Sequence, residues 1–99
     1  MKYISNAFSL QMVAPENLNR VRFEAVECCE RLEEYRSIVG HADIAHVLGV
    51  EMNRVSVMLD PADEMLVAQL TGGRLPEGSK TLPEGFRLQF VRVYFEGKE

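Results

Sequence analysis

Met65-Leu66-Val67-Ala68-Gln69-Leu70 is apolar at both alternating sets of positions, with one amide as the exception. A strand of that kind is covered on both faces, so the segment predicts the centre of a sheet and not its edge. After it, Phe86 to Phe95 reads as the last strand. Before it, Pro61-Ala62-Asp63-Glu64 makes a turn, and Asn53 to Leu59 reads as a strand with Val55, Val57 and Leu59 aligned. Further upstream, Asp43 to Leu48 predicts a short helix stopped by Gly49. From Glu27, the positions Cys28, Cys29, Leu32 and Tyr35 follow helical spacing, with Glu27 and Arg31 paired one turn apart and Gly40 ending or interrupting the helix. Asn19 to Val26 alternates Val21, Phe23 and Ala25 with Arg20, Arg22 and Glu24, the pattern of a half-exposed strand. Tyr3 to Phe8 is a short strand that runs into the turn-prone Ser9-Leu10-Gln11. The expected fold is therefore mixed α/β (α+β): one domain over residues 1–99, with helices packed on a mixed sheet of about five strands.

Composition bounds the function. The chain has 99 residues, 46% hydrophobic and 26% charged, which fits one folded domain with a modest core. A formal charge of −4 argues against a broad duplex-DNA surface. A small anionic ligand needs only a few local donors and stays compatible with that charge. Cys28 and Cys29 are adjacent, a spacing that closes no useful loop and fits no zinc pattern, so a reducing cytoplasm is expected. The opening Met1-Lys2-Tyr3-Ile4-Ser5-Asn6 has no secretory character, and no apolar run approaches the roughly 18 residues of a membrane span.

Two histidines draw attention because imidazole titrates nearest to physiological pH. His41 opens the short helix, where backbone N–H groups favour an anion. His46 lies about 140° further round that helix, so the two do not face one site and no metal pair forms. The plainer role of either histidine is a surface or capping residue. Asn6 and Ser9 close the first strand, and ordinary turn or cap duty explains both. Gln69 sits in the central strand and is expected to find partners there as a core amide. Arg54 opens a strand, and Arg74 after Gly72-Gly73 presents a planar fork suited to phosphate; solvated charges are the alternative. Arg74-Leu75-Pro76-Glu77-Gly78 is echoed by Leu82-Pro83-Glu84-Gly85, and two Pro-initiated turns would account for the echo. No phosphate-binding Gly-rich loop, nucleophile elbow or zincin helix occurs.

Taken in order, these pieces resemble a known family. Tyr3-Ile4-Ser5-Asn6-Ala7-Phe8-Ser9-Leu10-Gln11-Met12, then Gly40-His41-Ala42-Asp43, Asn53-Arg54-Val55 and Arg74-Leu75-Pro76-Glu77-Gly78, look like the ordered motifs of the viral type III anti-CRISPR ring nucleases. The resemblance spans the whole chain. It implies a homodimer that needs no metal or cofactor and degrades cyclic tetra-adenylate in the host cytoplasm. It implies that His41 and Glu77 are catalytic, and that Asn6, Ser9, Gly40, Arg54, Gln69 and Arg74 contact the ligand. The helix after His41 is shorter than the resemblance leads one to expect, and Gln69 to Arg74 is one residue longer. The rival expectation is a non-catalytic viral nucleic-acid-binding or regulatory protein.

Overall fold

A computed structural model describes residues 1–27, 32–78 and 81–97. Five strands form one sheet: β1 (Lys2–Ser5), β2 (Val21–Val26), β3 (Arg36–Ser37), β4 (Glu64–Thr71) and β5 (Arg87–Phe95), in the order β2-β5-β4-β1-β3. β1 is parallel to both β3 and β4, while β5 runs antiparallel to β4 and β2. The sheet is mixed, and the strand predicted to be central is central. Met65 to Ala68 are all buried.

The alternation along β4 explains the layering. Leu66 belongs to one apolar cluster with Ile4, Val39, Leu75 and the helix residues Ile44 and Ala45. Met65 and Val67 belong to a second cluster with Ile38, Leu59 and Val93. Neighbours on a strand point to opposite faces, so each cluster covers one face of the sheet. The helix α1 (Ala42–Leu48) packs on the first face. The second is covered by loop residues, with Phe8, Met12 and Val57 packed against Leu59 and its neighbours.

α1 ends as its sequence predicts. Gly49 adopts φ 77°, and its N–H bonds the carbonyls of Ala45 and His46. That left-handed cap suits a residue without a Cβ. Across the sheet, Arg92 of β5 reaches Glu24 of β2 at 3.0 Å and Glu64 of β4 at 3.3 Å. The hydrogen bonds that Arg92 donates to Glu64, backed by the charges of both carboxylates, hold its guanidinium protonated even more firmly than usual, although partial burial works the other way.

Three expectations are corrected. Asn53 to Leu59 is not a strand: it is chain without regular secondary structure, flanked by isolated bridges of Met52 with Val39 and of Leu59 with Val13. The alternation is present, but no neighbouring strand is there to pair with it, and Val55 is 48% exposed whereas Leu59 is 1% exposed. The fifth strand is instead the two-residue β3, too short to leave a periodic signal. The helix expected from Glu27 falls partly outside the described residues; its described part is a 3₁₀ turn, Leu32–Glu34, followed by β3, so Gly40 follows a strand. The first strand stops at Ser5, whose hydroxyl bonds both the N–H and the carbonyl of Ala7 and turns the chain.

Leu59 is the buried side chain of the 53–59 segment, so Leu59→Ala should cost about 2–5 kcal/mol. Val55→Ala should change stability by about 0.5 kcal/mol or less. Urea midpoints at constant slope measure both, and similar shifts would mean that the whole segment is packed.

Candidate active site

β1, β3 and β4 are parallel, so their C-terminal ends lie at one end of the sheet. Asn6 follows β1, Gly40 and His41 follow β3, and Gln69 to Arg74 close β4. The carboxyl ends of parallel strands are a recurrent ligand site, because the chain leaves them in loops that converge without strand pairing. Five of the eight residues singled out from the sequence, Asn6, Gly40, His41, Gln69 and Arg74, belong to this end, and Glu77 lies on the loop that follows β4.

The peptide before the helix is held on both sides. Asn6 Oδ1 accepts the Gly40 N–H at 3.0 Å, and Arg54 donates from Nε and Nη2 to the Gly40 carbonyl, each at 3.1 Å. The resemblance implies that Asn6 and Arg54 contact a ligand; in the structure both hold the residue next to His41. A Cβ on Gly40 would sit 3.4 Å from Arg54 Cγ, so a larger residue would crowd the guanidinium stem.

His41 is the N-cap of α1. Its Nδ1 accepts the Ile44 N–H at 3.3 Å, and its carbonyl accepts from Ala45. The imidazole therefore takes a helix-start donor that the sequence reading assigned to an anion. It also leaves Nε2 as the ring nitrogen available for proton exchange. His41 and His46 are both exposed.

Glu77 lies on the loop between β4 and β5. Leu75 is buried in the cluster under α1, and the Gly78 N–H donates to Asp43 Oδ2 at 3.1 Å. Asp43 is in the first turn of the helix that His41 caps. The turn bearing Glu77 is thereby fastened to the first turn of the helix that His41 caps, although among the described residues no hydrogen bond or ion pair joins the His41 and Glu77 side chains. No sequence signal singles out Asp43, because an acid in a first helical turn reads as an ordinary partner of the helix dipole. Arg74 is exposed on the same loop.

Gln69 corrects the core-amide expectation. It is exposed, shares the face of Met65 and Val67, and pairs in register with Gln89 of β5. With Asn6, Phe8, Phe23 and Val91 it lines a cleft of about 370 Å³, over which Phe8 and Phe23 meet edge to face at 5.3 Å. Ser9 lies apart from it: its hydroxyl caps a 3₁₀ turn through the Gln11 N–H, and it lines a depression of about 140 Å³ with Val55 and Val57. The site residues thus fall into a His41–Asp43–Glu77 side under α1 and an Asn6–Gln69 side across the strand ends. No three of His, Cys, Asp and Glu converge as metal ligands among the described residues. No described helix is long and apolar enough to cross a membrane.

A family model described as STIV B116-like matches residues 2–88. Among solved structures, B116 of Sulfolobus turreted icosahedral virus superimposes with a TM-score of 0.68 and 22% identity, over 94% of this chain and 97% of that chain. At that identity the likeness concerns the fold. No curated protein matches the chain.

The loop carrying Arg74 and Glu77 closes where a Cβ on Gly72 would lie 2.6 Å from the Gly85 carbonyl oxygen, at φ 106°. Gly72→Ala should therefore cost about 1–3 kcal/mol or more, as clash adds to backbone strain. Gly78→Ala, at φ 82° with open space around it, should cost less. Thermal unfolding of both variants checks the order, and a reversed order would place the tight crossing elsewhere.

Proposed function

The chain belongs to the STIV B116-like family, and from that premise we propose that it is a viral, metal-independent phosphodiesterase that opens cyclic tetra-adenylate and so suppresses type III CRISPR immunity. One observation carries the mechanism: the Gly78–Asp43 hydrogen bond, which moors the Glu77 turn to the helix capped by His41. The substrate comes from the resemblance of the ordered motifs; the arrangement of the residues suits the chemistry.

The reaction needs no outside nucleophile. A ribose O2′ attacks the adjacent phosphorus, the P–O5′ bond breaks, and a 2′,3′-cyclic phosphate and a 5′-hydroxyl form. The O2′–H proton must leave and the O5′ oxygen must gain one, while the phosphate oxygens take up charge. His41, as imidazolium, donates to O5′ from Nε2 and returns to the neutral ring, whose Nδ1 accepts the Ile44 N–H. Glu77 either orients the imidazole or accepts the O2′ proton from the other side of the phosphorus, and both roles require its turn to be held in a fixed relation to His41. Arg74 offers a planar fork to the phosphate oxygens. Asn6 and Gln69 border the cleft across the strand ends, where an adenine edge can meet their amides. In a two-fold homodimer, two such sites face opposite linkages of a four-nucleotide ring.

The capping role of His41 dictates the variant. His41→Asn keeps a capping side chain but loses the imidazole, so cleavage should fall about 10²–10⁴-fold with little loss of stability. Retained turnover of every cyclic oligoadenylate would remove His41 from the chemistry; tight ligand binding with no turnover by the wild type would mark a binding protein instead.

Glu77 and Glu84 provide an internal control, since both follow Leu-Pro and precede Gly. Glu77→Ala should lose activity far more than Glu84→Ala. Equal losses in folded proteins would show that the loop as a whole matters and not Glu77.

Activity in excess EDTA should match that in magnesium. Abolition by EDTA with restoration by magnesium or manganese would overturn the metal-independent route.

A further inference from the structure

We propose that Asp43 is a positioning residue that sets the Glu77 turn against His41, an inference that rests on the function proposed above. Glu77 lies between two anchors. On one side Leu75 is 9% exposed and packs under α1; on the other the Gly78 N–H ends on Asp43 Oδ2. Only Pro76 and Glu77 lie between these anchors, and the proline ring restricts the backbone there. Glu77 thus rides on a short, two-point span.

His41 is fixed by separate means, its Nδ1 on the Ile44 N–H and the preceding peptide between Asn6 and Arg54. Leu75 supplies depth but no direction, since apolar packing tolerates sliding. The carboxylate of Asp43 supplies direction: it extends from the first turn of α1, two residues after His41, and meets one specific N–H. If that acceptor is lost, the Glu77 carboxylate moves relative to the imidazole while the core stays packed. Displacements on the ångström scale can cost about 10²-fold in rate.

Asp43→Ala and Asp43→Asn separate this role from helix electrostatics. Both remove the charge, but only the asparagine keeps an oxygen that can accept the Gly78 N–H. The variants, with Glu77→Ala and the double variant Asp43→Ala/Glu77→Ala, are assayed on cyclic tetra-adenylate, and exchange of the Gly78 amide is followed by NMR. Asp43→Ala should cut kcat by about 10- to 100-fold with a smaller change in KM and faster Gly78 exchange. Asp43→Asn should stay within a few-fold of wild type on both measures. The double variant should be no slower than Glu77→Ala alone, because residues that act as a unit do not lose rate twice. Equal losses in Asp43→Ala and Asp43→Asn, multiplicative losses in the double variant, or normal turnover despite faster Gly78 exchange would each overturn the proposal. A wild type without turnover would withdraw the proposed function and the role of Asp43 with it. Unchanged Gly78 exchange in Asp43→Ala would refute the latch alone, whatever the activity.

Discussion

Burial of β4 on both faces is the constraint on which the other elements depend. Each residue from Met65 to Ala68 must be covered, and alternation sends successive side chains to opposite layers. One layer requires α1, which brings Ile44 and Ala45 over Leu66. The other requires chain that is neither helix nor strand, and Leu59 enters it from a loop. Pairing follows the same demand. β4 has neighbours on both sides, β1 parallel and β5 antiparallel, so its backbone groups are satisfied within the sheet.

The location of the site follows from that pairing. Parallel β1, β3 and β4 end together, so residues distant in sequence, Asn6, His41 and Gln69, come to one end without any local motif. Local bonds then set their directions. Gly40 is gripped through its N–H and its carbonyl, which fixes the peptide immediately before the helix. The net charge of −4 matters little at this scale. Arg54 is occupied by a carbonyl, so Arg74 is the cation of the set left to meet an anion on the site loop.

What the sequence disclosed, and what it concealed, follows the same division between local and tertiary causes. The central strand, the long last strand and the Gly49-stopped helix were legible because their signals are local: two-sided apolarity, period-two alternation, and a glycine at the cap. The segment Asn53 to Leu59 misled because Val55, Val57 and Leu59 alternate correctly, yet a strand also needs a partner edge, which no alternation encodes. β3 was invisible for the opposite reason: two residues carry no period, and only the edge of β1 makes them a strand. Gln69 was placed in the core by its apolar neighbours. The covering ends at Ala68, and the amide stands at the rim with Gln89 opposite. The types of the candidate residues were readable, but their partners were not. Nothing local announces that Asn6 and Arg54 meet at Gly40, or that Asp43 bonds a glycine on a loop 35 residues later.

The two Leu-Pro-Glu-Gly copies show how tertiary contact, and not motif, assigns a role. Both form turns with glycine at positive φ, 82° at Gly78 and 88° at Gly85. In the second copy the turn closes on itself through the Phe86 N–H and the Pro83 carbonyl, and the Gly85 carbonyl abuts Gly72 at the neck of the loop. That copy is committed to holding the loop shut, and its glutamate is carried on a closed, self-satisfied turn. The first copy directs its glycine N–H outward from the turn, to a carboxylate on another element. A donor used inside a turn stabilises that turn alone. A donor given to a distant acceptor couples two elements, and here the second element is the helix that His41 caps. The same four residues therefore stand in different surroundings: the second copy is closed by the N–H that follows its glycine, while the first gives its glycine N–H to another element.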